Sequence, residues 1–353
     1  MSTDSALSQI DALIAAFADA VIVVDAGRRV VAANAAAGEI APVPTTGRDL
    51  ALGLRHPDVL AAVDAVLGGA AKRDLEVVLQ TPMARTFRVR VAGLGGLEGA
   101  AAMVMLRDAT EARGAERMRA DFVANVSHEL RSPLASLVGF IETLRGPARD
   151  DAQARARFLA IMDTEAKRMA RLIDDLLSLS RVEADEHLRP RGGVAIAALL
   201  TEIADSLGHR AAEKGMTIEL RLAPDLPDAV GERDELSLVF RNLIDNAIAY
   251  GRENTAIDVT AIPVARIPDS GEAGIAVTVA DRGEGIASDH IPRLTERFYR
   301  VDKGRSREMG GTGLGLAIVK HIVGRHRGHL TIESSIGEGS RFTVHLPTTG
   351  VDD

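Results

Sequence analysis

Residues 111–182 contain two long segments in which apolar side chains recur every three or four positions, and this pattern constrains the fold more than any other feature. In the first segment the repeating residues are Val123, Val126, Leu130, Leu134, Leu137, Ile141 and Leu144. In the second they are Phe158, Met162, Met169, Ile173 and Leu176. Such spacing predicts two amphipathic helices, each with a seam like that of a coiled coil. The helix breakers Gly146 and Pro147 separate them, so we predict an antiparallel helical hairpin.

A hairpin of two helices is too thin to bury both of its faces within one chain. Two copies can bury the seam residues between them as a dimeric four-helix bundle. We therefore expect a homodimer.

The regions on either side of the hairpin have different patterns. Residues 8–110 contain short β-rich runs, and Val21–Asp25, the turn Ala26–Gly27 and Arg29–Asn34 predict a hairpin of strands. Residues 183–193 are polar, contain Pro190, and predict a linker. Residues 194–347 alternate helical patterns with strand-like runs, which predicts an α/β layered domain. Those runs are Thr217–Leu222, Ala256–Ile262, Ile275–Ala280, Leu330–Glu333 and Arg341–Leu346.

Composition excludes several classes of function. The formal charge of −8 argues against nucleic acid as a direct partner, because binding phosphate backbones requires a basic surface. The sequence has no cysteine, which excludes disulfides and thiolate metal sites and is compatible with a reducing cytoplasm. A spanning helix needs ~20 mostly apolar residues, and no such run is present. We expect a cytoplasmic protein without a transmembrane segment in this chain, or one that is membrane-associated in a longer native form.

The segment Phe122–Leu134 brings His128, Glu129 and Ser132 close together on the first predicted helix. A helix turns ~100° per residue, so His128 lies ~180° from Leu137 and faces solvent. Glu129 can accept a hydrogen bond from one ring nitrogen and leave the other free to attack an electrophile. Pro133 removes a backbone N–H and weakens the helix locally. From helix position alone, an ordinary exposed histidine remains an alternative.

Two asparagines occupy one face of a later helical segment, 235–250. Asn242 and Asn246 are four residues apart and therefore lie one above the other. Stacked amides are costly to bury without partners, and hydrated Mg²⁺ carrying a triphosphate would be a suitable one. The alternative is a pair of surface amides.

Two glycine-rich segments follow. Asp281 comes directly after a predicted strand, where its carboxylate can accept the amine of an adenine, and Gly283 and Gly285 let the backbone approach the ring. The second segment opens a helix whose N-terminal amides favour phosphate, and it consists of Gly311, Thr312, Gly313, Leu314 and Gly315. No strand leads into it, so a dinucleotide-binding motif is not predicted. The long polar stretch from Arg300 to Gly310 predicts a lid.

The order of these four motifs over residues 110–347 resembles the sensor histidine kinases of two-component systems, which join a phosphoacceptor hairpin to a GHKL-type ATP-binding domain. The resemblance implies that His128 accepts phosphate, that Glu129 orients its ring, and that Ser132 positions water to dephosphorylate a partner. It also implies that Asn246 binds Mg²⁺ with support from Asn242, that Tyr250 lies against the base, and that Arg300 and the lid hold the γ-phosphate. Asp281 and the two glycine segments would bind the rest of ATP.

The N-terminal region shows a weaker resemblance. The run from Val21 to Ala37 resembles the opening hairpin of PAS sensory domains, and Asp108 and Thr110 resemble their Asp-x-Thr ending. A small α+β dimerisation domain without a ligand remains the alternative. A PAS-like domain joined to this hairpin resembles the PhoR-type phosphate-regulon sensors.

Two positions depart from the family pattern. Ser132 stands where Thr or Asn is commoner, but it keeps a polar side chain. Ala249 stands where a basic residue often contacts phosphate, which predicts a weaker affinity for ATP unless other cations replace it. The candidates are Arg300 and the lid residues Lys303, Arg305 and Arg307.

The sequence thus predicts a kinase that autophosphorylates His128 from ATP, transfers the phosphoryl group to an aspartate of a separate response regulator, and dephosphorylates that regulator. One alternative is a GHKL-type ATPase without phosphohistidine, which leaves the His128 motif unexplained. Another is a non-catalytic PAS signalling scaffold. A metal site at His321, His326 and His329 is not predicted, because no carboxylate or thiolate completes a ligand shell.

Overall fold

The computed structural model describes residues 3–40, 46–80, 83–95, 99–185, 188–302 and 311–349. The predicted lid residues Lys303, Arg305 and Arg307 lie outside these ranges. The chain divides into two compact units, Met1–Ala124 and Asn125–Asp353. Within the described ranges, no helix has the length and apolar character needed to cross a membrane.

The first unit is built around an antiparallel sheet. Its elements are α1 (Thr3–Ile14), β1 (Ala20–Val24), β2 (Val30–Ala33), α2 (Ala35–Ile40), α3 (Pro57–Leu67), β3 (Lys72–Gln80), β4 (Ala84–Gly93) and β5 (Ala102–Asp108). The strand order is β2-β1-β5-β4-β3, and every neighbouring pair is antiparallel. The predicted hairpin is confirmed, because β1 pairs with β2 through Ile22 and Ala33.

Strand β1 is apolar throughout because both faces of the sheet are covered at this point. Ile22 and Val24 belong to a core that includes residues of α2 and α3. The alternate residues Val21 and Val23 pack in a second core with Ile10 of α1. A strand buried on both faces has a continuous apolar run instead of an alternating one, as the sequence of β1 does.

The end of the sheet is bonded to the start of the next helix. The Thr110 hydroxyl and backbone N–H donate to Asp108 Oδ1 over 2.6 and 2.8 Å. Thr86 N donates to the Thr110 hydroxyl over 3.0 Å. The hydrogen bond from the Thr110 hydroxyl lowers the pKa of Asp108 from its usual value. The predicted Asp-x-Thr ending therefore links the last strands of the sheet to the first residue of the next helix by hydrogen bonds.

Two long helices, α4 (Thr110–Arg145) and α5 (Ala152–Ala184), follow the sheet. Phe140 stacks on Phe158 with ring centroids 5.3 Å apart, and Glu129 binds Arg168 further along both helices. Since one partner's number rises as the other's falls, the helices are antiparallel, as predicted. Asp151 begins α5 by accepting hydrogen bonds from two backbone N–H groups, the usual role of an N-cap carboxylate.

Part of the predicted seam remains uncovered in the single chain. On α4, Val123 is 58% exposed, Leu134 52% and Ile141 44%. On α5, the seam residue Ile173 is similarly exposed, as is Leu177, which is outside the predicted seam. Apolar residues repeated along helices at this spacing normally pack against a partner, so the hairpin carries an apolar face that the described parts of the chain leave exposed.

The rest of the second unit forms a mixed sheet with helices packed against it. Its elements are β6 (Gly193–Val194), α6 (Ile196–Ala212), β7 (Thr217–Leu222), β8 (Ala229–Val230), α7 (Arg233–Tyr250), β9 (Ala256–Val264), β10 (Gly274–Ala280), α8 (Gly315–Arg325), β11 (His329–Ser335) and β12 (Gly339–Pro347). The order of the five-stranded sheet is β11-β12-β10-β9-β7. Only the β7–β9 pair among these is parallel. All five strand runs predicted from the sequence fall within these strands.

Candidate functional site

A cavity of about 460 Å³ opens beside helix α7 in the second unit. Pockets of this size are typical of small-molecule sites. The residues of the predicted nucleotide site that line it are Asn242, Asn246, Tyr250, Asp281, Gly285, Arg300, Gly311, Thr312, Gly313 and Gly315. Two further members support the lining residues without being part of the wall. Gly283 N donates to Asp281 Oδ1 over 2.7 Å, and Leu314 is fully buried.

Helix α7 presents its polar residues to the cavity because of their four-residue spacing. Asn242, Asn246 and Tyr250 follow one another along the lining face, whereas Phe240 and Leu243 are buried in the core. The Asn242 side-chain amide donates to Leu238 O over 2.9 Å, which orients that side chain. The helix thus holds both amides at fixed positions along one wall.

Asp281 directly follows strand β10 and lines the cavity. Burial raises the pKa of its carboxyl, and the Gly283 N–H opposes this shift. The next glycine of the motif, Gly285, has φ +72°, and a Cβ there would lie 1.9 Å from Ser335 O. Only glycine fits such a position without moving the backbone. The loop can therefore run close to β11 and leave the carboxylate accessible from the cavity.

The second glycine motif packs against the segment that contains Arg300. Phe298 N donates to Gly313 O over 2.8 Å, and Arg300 donates to Gly311 O. Gly313 has φ +75°, and a Cβ there would lie 3.0 Å from the backbone of Phe298. Helix α8 begins directly afterwards at Gly315, so free backbone amides at its first turn border the cavity and are suited to an anion.

Helix α5 supplies part of the wall, which sequence reasoning missed. Arg171 and Asp175 both line the cavity. The Thr312 hydroxyl donates to Asp175 Oδ2 over 2.6 Å. Burial raises the pKa of Asp175, although this hydrogen bond opposes the shift. Charged residues on a long helix usually indicate a solvated face, so no local signal marked these two.

A cluster of arginines at the cavity was also missed. Arg210 of α6 and Arg241 of α7 line it together with Asp245. Arg210 Nη1 lies 2.8 Å from Asp245 Oδ1. Burial raises the pKa of Asp245, and the nearby arginines oppose this rise. The spacing of Arg241 and Asp245 at four residues, next to the two asparagines, was the available sequence signal.

The predicted phosphoacceptor residues lie on α4, outside the lining of the cavity. His128 and Ser132 are exposed, as helix geometry predicted for His128. Glu129 accepts a hydrogen bond from Arg168 Nη2 over 2.9 Å, and Arg300 Nη2 lies 3.8 Å from the same carboxylate oxygen. The Arg300–Glu129 pair therefore connects the phosphoacceptor helix to a residue of the cavity wall.

His326 has a structural role. It is 1% exposed, its Nδ1 donates to Ile322 O over 2.8 Å, and its Nε2 accepts from Glu232 N over 3.1 Å. Burial lowers the pKa of its ring. Backbone groups thus engage both ring nitrogens of His326.

Two family matches together cover most of the second unit. Residues 118–185 match the His Kinase A (phospho-acceptor) domain. Residues 231–350 match the family described as Histidine kinase-, DNA gyrase B-, and HSP90-like ATPase. The first match contains His128, and the second contains α7, α8 and both glycine motifs.

Similar proteins include the phosphate regulon sensor protein PhoR of Pseudomonas aeruginosa, which is 38% identical over 336 residues, covering 94% of this chain and 72% of PhoR. The sensor-like histidine kinase SenX3 of Mycolicibacterium smegmatis is 39% identical over 70% of this chain, which spans 62% of SenX3. The sensor protein kinase WalK of Staphylococcus saprophyticus is 35% identical over 71% of this chain, which spans 40% of WalK.

A solved structure has a similar fold. The histidine kinase ThkA, crystallised in complex with the response regulator protein TrrA, aligns with a TM-score of 0.50 at 18% identity and covers 94% of this chain and 96% of its own. At that identity the likeness concerns the fold alone. The identity to PhoR over nearly the whole chain and the two family matches are stronger, and they establish that this chain belongs to the sensor histidine kinases of two-component systems.

Proposed function

We propose that the chain binds ATP with Mg²⁺ in the cavity beside α7, transfers the γ-phosphoryl group to His128, and passes it to an aspartate of a separate response regulator. The observation that carries this proposal is the pairing of an exposed histidine in the phosphoacceptor match with a cavity lined by both glycine motifs and the two asparagines. ATP binding itself agrees with the ATPase family match.

His128 is proposed as the nucleophile of the first step. A neutral imidazole nitrogen forms a bond to the γ-phosphorus, the bond from that phosphorus to the bridging oxygen breaks, and ADP leaves with the electron pair. Glu129 is proposed to hold the second ring nitrogen and stabilise its proton, as carboxylates do for catalytic histidines. Its ion pair with Arg168 would steady the carboxylate for this role.

The cavity wall is proposed to position the nucleotide. Asn246, supported by Asn242, offers the amide oxygens that suit Mg²⁺, and the metal when bound would neutralise charge on the phosphates. Asp281 is proposed to accept the adenine amine, and Tyr250, 41% exposed at the rim, to cover the base. Arg300 and the amides from Gly311 to Gly315 are proposed to hold the phosphates.

The uncovered seam of α4 and α5 supports a homodimer with a four-helix bundle. The exposed apolar residues along both helices would be buried by the same face of a second copy, in the manner of symmetric bundles. The match to a phospho-acceptor domain over residues 118–185 agrees with this arrangement.

The domain limits are also proposals: a PAS-like sensory domain at 8–110, the phosphoacceptor hairpin at 111–182, a linker at 183–193 and the ATP-binding domain at 194–347. The antiparallel sheet of the first unit and its Asp108–Thr110 ending support the PAS-like assignment. A small molecule that alters the autophosphorylation rate of the full chain, but not of a chain without residues 8–110, would distinguish a sensor from a ligand-free dimerisation domain.

Incubation with γ-labelled ATP and Mg²⁺ tests the central proposal. The wild type should acquire label that is stable in base and labile in acid, as expected of a phosphohistidine, and His128→Ala should acquire none while still binding ATP. His209→Ala, which removes a highly exposed histidine of α6, is the matched control and should label normally. Release of free phosphate by both variants, without labelled protein, would instead indicate a GHKL-type ATPase.

Ser132 is proposed to position the water that dephosphorylates the regulator. Ser132→Ala should slow that hydrolysis and leave autophosphorylation unchanged, because the hydroxyl has no part in the attack by His128. Ser136→Ala, one turn further along α4 and also exposed, is the control. Equal rates of regulator dephosphorylation in all three proteins would exclude this role.

The dimer proposal predicts a change of mass in solution. The double variant Leu134→Glu with Ile141→Glu should convert a dimer to a monomer in light scattering, because burying unpaired carboxylates in the seam is costly. Leu52→Glu alters a residue of the first unit that is 54% exposed and should remain dimeric. A wild-type monomer, or a double variant of dimeric mass, contradicts the proposal.

The pKa of Asp281 gives nucleoside binding a defined pH dependence. An ionised carboxylate accepts the adenine amine more strongly than a protonated one. Burial raises this pKa above the ordinary value, so adenosine affinity should fall as the pH drops from neutral, earlier than for an ordinary carboxyl group. Asp281→Asn should bind adenosine more weakly at neutral pH and lose this dependence, whereas Asp289→Asn, at an exposed position, should keep it. Calorimetric titration with adenosine measures both, and an identical pH profile for Asp281→Asn and the wild type would contradict the assignment.

A further inference from the structure

We propose that Arg210 and Arg241 bind the phosphate groups of the nucleotide and provide the positive charge that Ala249 lacks. This inference rests on the proposed function, because it assigns the two arginines to the same ATP cavity.

The two arginines approach the cavity from neighbouring helices. Arg241, Asp245 and Ala249 are spaced at four residues on α7 and all line the cavity, so they form a stripe beside Asn242 and Asn246. Arg210 reaches the same stripe from α6, with its Nη1 2.8 Å from Asp245 Oδ1. Ala249 thus lies one turn along this stripe from Asp245, which pairs with Arg210.

Two aspartates that line the cavity, Asp245 and Asp281, have different neighbours. Burial raises the pKa of the Asp245 carboxyl, and Arg210, Arg241 and Arg171 oppose that rise. Burial also raises the pKa of Asp281, and backbone hydrogen bonds with Gly283 and Ser340 oppose that rise. Three arginines and two aspartates, Asp245 and Asp175, lie in the Asp245 part of the lining, so its formal charge is still positive. ATP carries its negative charge at one end only, so Coulomb attraction places the triphosphate beside the arginines and the adenine beside Asp281.

Both arginines are oriented before any ligand binds. Asp245 holds Arg210, whose side chain is still 49% exposed and so remains open to a ligand. Arg241 Nη2 donates to the Ser206 hydroxyl over 3.4 Å. A planar guanidinium can contact phosphate oxygens through two parallel N–H groups. An arginine held in advance loses less side-chain entropy when it makes such contacts.

Lys214 is close in space but already has a different role. Its ammonium group donates to Ile248 O over 2.8 Å and to Ala249 O over 3.3 Å. Those carbonyls belong to the last turn of α7, where a cation is favourable. Lys214 therefore stabilises the end of the helix, and the positive charge that position 249 lacks comes from Arg210 and Arg241. This assignment adds Arg210 and Arg241 to the cations predicted from the sequence to compensate for Ala249, which were Arg300 and the lid residues Lys303, Arg305 and Arg307.

Calorimetric titration of the 353-residue chain with Mg·ATP and, separately, with adenosine tests the assignment. Arg210→Gln and Arg241→Gln should each lower the affinity for ATP by about tenfold or more, the loss expected of a charge-assisted hydrogen bond. Adenosine affinity should stay within about twofold of wild type, because adenosine has no phosphate for the arginines to bind. Arg233→Gln is the matched control, since Arg233 also joins α7 to α6, through Glu202, but does not line the cavity.

A charge-rescue experiment introduces Ala249→Lys into two backgrounds, the wild type and Arg210→Gln. Ala249→Lys should strengthen ATP binding much more in Arg210→Gln than in the wild type, because the lysine replaces a charge that only the variant has lost. Equal gains in both backgrounds would mean that the two positions are independent and would overturn the inference.

ATP affinities of Arg210→Gln and Arg241→Gln equal to wild type would also overturn the inference, as would equal losses of affinity for ATP and adenosine. A wild type that binds adenosine and ATP equally well would overturn it as well, whereas a wild type that binds neither would refute the proposed function itself.

Discussion

One face of helix α7 packs in an apolar core and another face lines the polar cavity, and the nucleotide site depends on this division. An α-helix brings residues four apart onto one face. Phe240 and Leu243 are therefore buried in the core while Asn242 and Asn246 line the cavity. The packing of the apolar face fixes the helix backbone. The amides and arginines on the other side are therefore attached to a backbone that is already ordered.

The cavity is completed by an element from the phosphoacceptor hairpin. Thr312 bonds Asp175 of α5, and Arg325 of α8 donates to the backbone of Asp185 and Leu188 just beyond that helix. The hairpin and the proposed ATP site thus share a wall. His128 lies outside that wall, so phosphoryl transfer requires the hairpin and the cavity to change their relative position or a second copy to bring its histidine in. The hydrogen bond between Thr312 and Asp175 is among those that such a movement would break.

Much of the fold and many of the candidate site residues followed from local patterns. The apolar spacing along α4 and α5 predicted the hairpin, and β-branched runs predicted the strands of both sheets, because periodicity reports which face of an element is buried. Spacing placed the asparagines on one face of α7, and glycine motifs marked Gly285 and Gly313, where the backbone needs positive φ. The predicted lid lies outside the described residues, and the roles of the site residues remain proposals.

The sequence by itself determined the elements and the family, because apolar periodicity, turn residues and the order of motifs along the chain do not depend on how the elements pack. Only the tertiary structure decided which charges meet. Arg210 and Asp245 are 35 residues apart and pair because α6 packs on α7, and Asp175 meets Thr312 because α5 packs against α8. A charged residue on a helix looks the same in sequence whether it faces water or a cavity. Its partner, and the shift in its pKa, depend on which surfaces the packing of the apolar faces brings together.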